Sequence, residues 1–339
     1  MTFPHARRAL AATVFALACA GASPLSFAVE PVKAAHADEA LQHALDSFAQ
    51  KVRPATLGVA VMDLSTGASA LVNADYAFPM MSVFKAPVAA AVLSRVDDGT
   101  LSLQQRVTIT RDQVQGGSAI PSVGAHFRGE RMEFTIEQLL KAAVSESDNT
   151  AVNALIRTVG GPDVVMAYFQ AHGIEGMRVD LDEVGISRIF NGLAPGGAVP
   201  DNESDAAATQ RYERGYRAFL ADPRNRTTPD AAIVFLKKLQ AGELLSPAST
   251  QHLLALMEAQ TIPNRLRAGL PAGLRFADKT GTSGSLGNRT AAYNDIGIIT
   301  WPDGRKVLVA AFLMDSTATG QERDRLFADI ARTVAAKHP

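Results

Sequence analysis

The stretch TLGVAVMD at residues 56–63 decides the fold of this chain. It is an almost uninterrupted apolar run of strand length, and it predicts a buried strand. The turn STG at residues 65–67 follows it, and residues 70–72 then begin a return strand. The sheet of this protein therefore starts near the N-terminal end of the chain.

The same sheet is completed from the opposite end of the sequence. Residues 275–280, 291–300 and 306–314 are strand-like, with a tight turn at PDG, residues 302–304. Helix patterns dominate the middle, including residues 136–144, 150–159 and a helix that begins at Thr228-Pro229. We predict an α+β fold, in which an antiparallel sheet of about five strands, flanked by helices, is built from both chain ends.

Two parts follow from this arrangement. Residues 29–99 and 242–339 form an α/β subdomain, and residues 100–241 form an inserted all-helical subdomain. Helices at 38–52 and 321–337 have the apolar spacing to flank the sheet. A cleft between two such parts is a common place for an active site.

The first 28 residues have the pattern of a signal peptide. Arg7 and Arg8 precede an apolar run from Leu10 to Ala20, and SFA at residues 26–28 is a small-x-small cleavage site. The run is too short to span a bilayer. We predict export to the periplasm. Lipid attachment at Cys19 is disfavoured, because alanine stands where lipoprotein signals prefer leucine.

Composition narrows the class of protein further. Cys19 is the only cysteine, so the exported protein has to fold without a disulfide. The chain is 47% hydrophobic with a net charge of −1, which gives material for a large core and argues against a nucleic acid partner. Seven scattered histidines make no metal-type cluster. We expect no metal, no cofactor and a monomer that acts on a small molecule.

SVFK at residues 82–85 is the first of three motifs that carry chemistry. We predict that it opens a helix ending near residue 96, so that Ser82 and Lys85 share one face and touch. The free N–H groups and the positive dipole at a helix start favour a neutral lysine and a developing oxyanion. Lys85 can then activate Ser82 as a nucleophile. Taken alone, the motif also fits a surface serine and lysine.

SDN at residues 147–149 and KTG at 279–281 are the other two. We predict that Ser147 relays a proton to a leaving nitrogen and that Asn149 binds substrate. The alternative is that these residues cap the next helix. Lys279 would attract a substrate carboxylate and polarise Ser147, unless it is merely solvated.

The end of the third motif predicts backbone contacts with the substrate. Gly281 would let substrate lie against the strand. The N–H groups of Thr282 and Ser82 would form an oxyanion hole.

With all three motifs in this order, the chain resembles class A serine β-lactamases over essentially its whole mature length. LPAG at 270–273 and ADKTG at 277–281 add to the resemblance, and KTGTSG at 279–284 looks like a variant of some extended-spectrum members. The resemblance implies a β-lactamase/transpeptidase-like fold and substrate contacts from Thr280 and Ser283. It also implies opening of the β-lactam amide by Ser82, followed by hydrolysis of the acyl-enzyme.

Hydrolysis of the acyl-enzyme requires a carboxylate, which the resemblance assigns to Glu183. RVDLDE at 178–183 matches the family's R-L-D-R-W-E, but Ser187 replaces an asparagine of the family and Leu181 replaces an arginine. A solvated loop acid is the alternative for Glu183.

Because Leu181 replaces an arginine of the family, the ion pair that this arginine makes in other members cannot form here. The aspartate that pairs with the family's arginine falls at Arg226. We therefore predict a reversed ion pair, in which Asp180 or Asp182 meets Arg226 and closes the loop.

The chain is also longer than common members in the region of about 184–226. Residues 205–220 read as an extra helix bearing Tyr212, Tyr216 and Phe219. These aromatic residues either pack the helix down or border the cleft.

Asn294 stands where many members carry an arginine for the substrate carboxylate. The resemblance shifts that role to Arg265, with Arg267 as a nearby structural arginine.

The altered loop leaves other functions open. The chain could be a penicillin-binding peptidase or a related serine hydrolase, such as a glutaminase or esterase, that deacylates slowly. A covalent β-lactam sensor is a further alternative, although no signalling domain is attached.

Overall fold

The computed structural model describes residues 38–337. The strands are β1 (Thr56–Asp63), β2 (Ser69–Val72), β3 (Phe78–Pro79), β4 (Arg106–Thr110), β5 (Arg131–Thr135), β6 (Arg226–Thr227), β7 (Arg275–Thr282), β8 (Ser285–Leu286), β9 (Arg289–Thr300) and β10 (Lys306–Ser316). The central sheet is antiparallel and has the strand order β2-β1-β10-β9-β7, with the short β8 paired to β9. The prediction of an antiparallel sheet built from both chain ends is confirmed.

The helices surround this sheet and fill the middle of the chain. They are α1 (Glu39–Lys51), α2 (Lys85–Asp97), α3 (Ser122–His126), α4 (Ile136–Val144), α5 (Asn149–Val159), α6 (Pro162–Ala171), α7 (Glu183–Phe190), α8 (Asp205–Ala221), α9 (Pro229–Gln240), α10 (Pro247–Glu258) and α11 (Gly320–Lys337). Capping side chains fix several of the predicted starts, for example Asp38 before α1 and Thr228 before α9.

Alternation along the strands explains why helices cover both faces of the sheet. In β1, Leu57, Val59 and Val61 belong to the core shared with α1 and α11. Ala60, between them, belongs to the core shared with α2 and α9. Since side chains alternate between faces, an apolar residue at nearly every position requires a cover on each side. Each fully buried valine or leucine contributes about 2 kcal/mol to folding.

The middle of the chain is less purely helical than predicted. β4 and β5 pair as an antiparallel ribbon between α2 and α4, and β6 pairs with β3. RVTIT and RMEFT alternate apolar with polar residues, a pattern with period two that favours a half-exposed strand pair over a helix. The subdomain boundaries at 99/100 and 241/242 stay a prediction.

The segment around Ser82 differs from the single helix predicted. Residues Met81–Phe84 form a 3-10 turn, and the α-helix starts only at Lys85. Met81 has a φ of 47°, a left-handed conformation that a non-glycine residue holds only where the surroundings enforce it. Asn294 contributes to this, because its Nδ2 donates to the carbonyls of Pro79 and Met80 at 2.8 and 3.0 Å.

Across residues 38–337, no helix has both the length and the hydropathy to cross a membrane. The predicted signal peptide, with Cys19, lies outside the described residues.

Candidate active site

Lys85 lies at the centre of the site, fully buried at the start of α2. Its Nζ is 2.7 Å from Ser82 Oγ, 3.0 Å from the carbonyl of Ser147, 2.5 Å from Asn149 Oδ1 and 2.9 Å from Glu183 Oε1. The predicted contact between Ser82 and Lys85 is therefore present. The Lys85–Glu183 pair also brings together two residues that lie far apart in sequence.

The three residues of the SDN motif have different roles in the structure. Asp148 caps α5, since its carboxylate accepts from the N–H groups of Ala151 and Val123 at 2.8 and 3.0 Å. Burial raises the pKa of Asp148. The side-chain amide of Asn149 accepts from Lys85 Nζ through Oδ1 and donates to the carbonyl of Gly116 through Nδ2. Ser147 is buried with a φ of 59°, and its hydroxyl does not cap α5, because Asp148 is the N-cap.

Lys279 contacts the hydroxyl of Ser147. Its Nζ donates to Ser147 Oγ and to the carbonyl of Thr280, each at 3.0 Å. The side chain is fully buried, so the alternative of a solvated lysine is excluded. Burial, together with the positive charge of Lys85, lowers the pKa of Lys279 well below that of an ordinary lysine.

Gly281 has a structural task that differs from the predicted one. A Cβ at this position would lie 2.5 Å from the carbonyl oxygen of Met80 and 3.2 Å from the amide nitrogen of Ser82. The missing side chain thus allows β7 to lie directly against the turn that carries Ser82. The predicted substrate contact at Gly281 stays a prediction.

The cleft that opens in front of Ser82 has a volume of about 340 Å³. We call its two sides the β7 wall, with Thr282 and Gly284, and the α7 wall, with Glu183 and Phe190. The remaining lining residues are Met81, Gln115, Gly116, Gly117, Asn149, Ile186, Ser187 and Asn191.

Of the six predicted substrate-binding residues, Asn149 and Thr282 line this cleft, whereas Thr280, Gly281, Ser283 and Arg265 do not. Ser283 is buried, and its hydroxyl accepts from the N–H of Ala292 and donates to the carbonyl of Gly284, at 2.8 and 2.7 Å. Thr280 is also buried, one residue behind the close approach at Gly281.

Arg265 lies behind the β7 wall. Its guanidinium donates to the carbonyls of Gly281 and Asn294 and to the hydroxyl of Thr282, and it stacks 4.0 Å above the Tyr293 ring. It therefore reaches the cleft through Thr282. Arg267 instead pairs with the buried Asp278, as expected of a structural arginine.

Glu183 is the first residue of α7 and is buried against Lys85. The alternative of a solvated loop acid is therefore wrong. Its N–H donates to Asn153 Oδ1 at 2.9 Å. Our sequence reasoning missed Asn153, although it lies four residues after Asn149 and so on the same face of α5.

The reversed ion pair predicted for Arg226 is wrong. The guanidinium of Arg226 donates to the carbonyls of Ala77, Leu220 and Asp222 at 2.7, 2.5 and 2.5 Å. Asp180 pairs with Arg178, and Asp182 caps α7 by accepting from Gly185. Arg226 satisfies carbonyls at the C-terminal end of the inserted helix α8, where a cation is favoured.

The neighbouring residue Asn225 closes the loop instead. Its Oδ1 accepts from the N–H groups of Asp180 and Leu181 at 2.9 and 2.8 Å, and its Nδ2 donates to the carbonyl of Leu181 at 2.9 Å. An amide that both donates and accepts can hold backbone without a charged partner. Leucine at position 181 is compatible with this closure.

The aromatic residues of α8 mostly pack the helix down, as one of our two interpretations expected. Tyr216 and Phe219 are buried and contact Phe190 edge to face, at ring distances of 6.1 and 5.5 Å. Tyr212 is 40% exposed. Phe190 was not predicted from the sequence. It contacts these two aromatic rings and also lines the cleft, so it connects the inserted helix with the cleft.

The part of the chain from 38 to 337 contains no group of three or more histidine, cysteine or acidic side chains that could hold a metal ion.

A serine in contact with a buried lysine, facing a carboxylate across a cleft, is the arrangement of a serine acyl-transfer enzyme. A family model described as "Beta-lactamase enzyme family" matches residues 38–337, and the chain belongs to that family.

Named relatives agree with this assignment. The chain is 36% identical to the extended-spectrum β-lactamase PER-1 of Pseudomonas aeruginosa over 282 residues, 83% of this chain and 82% of the relative. It is 33% identical to β-lactamase Toho-1 of Escherichia coli over 275 residues, 80% of this chain and 81% of the relative.

Solved structures give the same result. A β-lactamase from Chitinophaga pinensis aligns with a TM-score of 0.74 at 30% identity, covering 88% of this chain and all of that one. An ancestral class A β-lactamase aligns with a TM-score of 0.71 at 35% identity, covering 88% of this chain and 99% of that one.

Proposed function

We propose that this protein is a class A serine β-lactamase that hydrolyses the β-lactam amide through an acyl-enzyme on Ser82. The observation that carries the proposal is the set of contacts around Lys85 Nζ, which joins the nucleophile Ser82 and the carboxylate of Glu183 within 2.9 Å. The family and the named relatives support the same reaction.

The contacts of Lys85 support a route for activating Ser82. Its Nζ donates to Ser82 Oγ, the backbone carbonyl of Ser147 and Asn149 Oδ1, three acceptors for the three N–H groups of an ammonium, and Glu183 Oε1 lies 2.9 Å from the same Nζ. If Lys85 passes one proton to Glu183, its two remaining N–H groups serve the backbone carbonyl of Ser147 and Asn149 Oδ1, which can only accept. The lone pair of the amine is then free to take the proton of Ser82.

The next step in this proposal is protonation of the leaving nitrogen by Ser147. Ser147 then takes back the proton that Lys85 received from Ser82, and Glu183 returns its proton to Lys85, so that Glu183 is again a carboxylate before deacylation. The contact between Lys279 Nζ and Ser147 Oγ at 3.0 Å supports that role. Charge on the attacked carbonyl oxygen is stabilised by the N–H groups of Ser82 and Thr282, two residues that line one cleft. Arg265, behind Thr282, adds positive charge for the substrate carboxylate, together with Lys279.

Deacylation is assigned to Glu183 as general base. Its burial beside Lys85, its place in the cleft and its backbone bond to Asn153 all favour a fixed position. Closure of the loop by Asn225 removes one of the two reasons for expecting slow deacylation, the leucine at position 181. The other, Ser187, lines the cleft. Water activation by a positioned carboxylate contributes about 10²- to 10⁴-fold.

Turnover of a chromogenic cephalosporin, followed together with the intact protein mass, tests the proposal. We expect steady turnover by the wild type. Glu183→Gln should form a protein adduct of cephalosporin mass more slowly than the wild type, because glutamine cannot take the proton of Lys85. It should then retain the adduct, because the base for deacylation is lost.

The control variant is Ser82→Ala, which should neither turn over nor form the adduct. Turnover by Ser82→Ala would overturn the assignment of the nucleophile. A stoichiometric burst with a persistent adduct in the wild type would instead favour a penicillin-binding peptidase or a sensor.

We further propose that the protein is exported to the periplasm as a monomer. The basic, apolar and small-x-small pattern of residues 1–28 supports export. The N-terminal sequence of the mature protein tests this, and Val29 is the expected first residue. Light scattering of the purified protein tests the monomer.

A further inference from the structure

The inserted helix α8 contacts both walls of the cleft. It packs against α7, which carries Glu183, and against β8, which follows the β7 wall. Because it is long, buried on one side and joined to both walls, α8 can fix the distance between them.

The contact with α7 is made at the end of that helix. A Cβ at Gly215 would lie 2.4 Å from the carbonyl oxygen of Phe190, so α8 approaches α7 closely. Arg211, buried and paired with Glu203, donates to the carbonyl of Asn191 at 2.5 Å. A guanidinium beside the last carbonyls of a helix interacts favourably with the negative end of the helix dipole. Arg211 therefore holds the end of α7 against α8.

The contact with the sheet is made by Tyr216. Its buried hydroxyl donates to Asp315 Oδ1 at 2.6 Å, near the end of β10. Asp315 also pairs with Arg289, the first residue of β9. Tyr216 thus joins α8 to β10 and, through Asp315 and Arg289, to β9, the strand that pairs with β7.

Phe190 spans the remaining gap between the walls. Its ring lies against Gly284, where a Cβ would be only 2.8 Å from Cε1, and both residues line the cleft. Tyr216 and Phe219 pack on the same ring. The ring is therefore held in place by the insertion and closes one end of the cleft.

The position of this closed end decides which part of a substrate meets it. Along β7 the chain runs from Lys279 to Thr282 and on to Gly284. If the proposed contact between Lys279 and the substrate carboxylate sets the orientation of a β-lactam along β7, its acylamino substituent lies toward Gly284 and Phe190.

We propose that α8 sets the width of the cleft at Phe190 and Gly284, and thereby selects against β-lactams with bulky, branched acyl substituents. This inference rests on the proposed hydrolysis by Ser82. Phe190 limits the space directly, and Tyr216 is a positioning residue that acts through Phe190. Closely packed walls discriminate between substituents because they cannot yield without losing packing.

Two penicillins with one nucleus test the proposal: 6-aminopenicillanic acid, and its 2,6-dimethoxybenzoyl amide. The quantity to measure is the ratio of kcat/KM for the bulky amide to that for the small compound. Phe190→Ala should raise the ratio about tenfold, and Tyr216→Phe about threefold. Tyr212→Phe is the matched control, since it removes a phenol hydroxyl from the exposed side of the same helix, and it should leave the ratio unchanged.

A second variant guards against loss of folding. Phe190→Leu keeps apolar volume against α8 and should give an intermediate ratio at a near-native melting temperature. An unchanged ratio in both Phe190→Leu and Phe190→Ala would overturn the inference while leaving hydrolysis by Ser82 intact. Equal loss of both substrates in Tyr216→Phe would also overturn it. A wild type that turns over neither penicillin would instead remove the proposed function itself.

Discussion

The two walls of the cleft are built in different ways. On the side of the β7 wall, Lys85 lies at the start of the buried helix α2, Lys279 lies on a strand of the main sheet, and Ser82 lies on the 3-10 turn that leads into α2. The α7 wall lies on α7, which follows a loop and packs against the inserted helix α8. The side chains of Asn225 and Arg211 hold this wall by bonding to backbone carbonyls and N–H groups.

This difference explains why only one wall follows the family pattern. Groups carried by core helices and strands are fixed by hydrophobic packing, which tolerates no shift in register. A loop needs only that its backbone polar groups be satisfied, and different side chains can do that. Asn225 can therefore replace a charged pair without moving Glu183.

The largest effect, on the rate of acylation, is expected on the side of the β7 wall. Lys85→Met should lower kcat/KM for acylation about 10³-fold, because the proton acceptor of Ser82 is lost. Rapid-quench mass spectrometry of the acyl-enzyme measures this rate. Lys141→Met, at an exposed position on α4, is the control and should acylate normally. Acylation at the wild-type rate by Lys85→Met would refute the proton route.

An effect on deacylation more than on acylation is expected at the loop of Asp180 and Leu181, which Asn225 holds. Asn225→Gly should slow deacylation more than acylation and destabilise the protein by about 2 kcal/mol, because three backbone groups lose a partner. Glycine is chosen since Asn225 has a φ of 51°, which alanine would resist. Single-turnover kinetics and urea unfolding measure the two quantities. If both rates fell equally, the comparison between the two walls would fail.

The depressed pKa of Lys279 gives a smaller, pH-dependent effect. The charged form is required, and it is lost at a lower pH than for an ordinary lysine. The alkaline fall of kcat/KM should therefore begin well below pH 10.5. Lys279→Arg should move this fall to higher pH, since arginine keeps its proton. An identical pH profile in the two proteins would assign the fall to another group.

The smallest effect concerns two carboxyls behind the β7 wall. Burial raises the pKa of Asp278 from 3.8 to about 6, and it raises that of Asp295 as well. The folded protein then holds more protons than the unfolded chain between these values, so stability should fall as pH rises from about 4 to about 6.

Melting temperatures across that range, in the wild type and in Asp295→Asn, measure this dependence. The substitution removes one of the two acids and should make the fall of stability with pH less steep. A slope as steep as that of the wild type would exclude the pair as its source.

The sequence by itself determined the sheet and the acylating groups. TLGVAVMD predicted β1 with its observed bounds, and the spacing of Ser82 and Lys85 predicted their contact. Both succeed because the information is local: strand and helix periods decide which side chains share a face. The strand pair β4–β5 was missed although its pattern is also local, because the helices around it dominated the interpretation.

Only the tertiary structure decided how the α7 wall is held. Arg226 was assigned to an ion pair with Asp180 or Asp182, but it caps α8, and Asn225 closes the loop across about 45 residues of sequence. Gly281 also makes room for the turn of Ser82, a role that its sequence context did not reveal. Backbone groups carry no sequence signature, so the side chain that will satisfy them is fixed only once the chain has brought the two together.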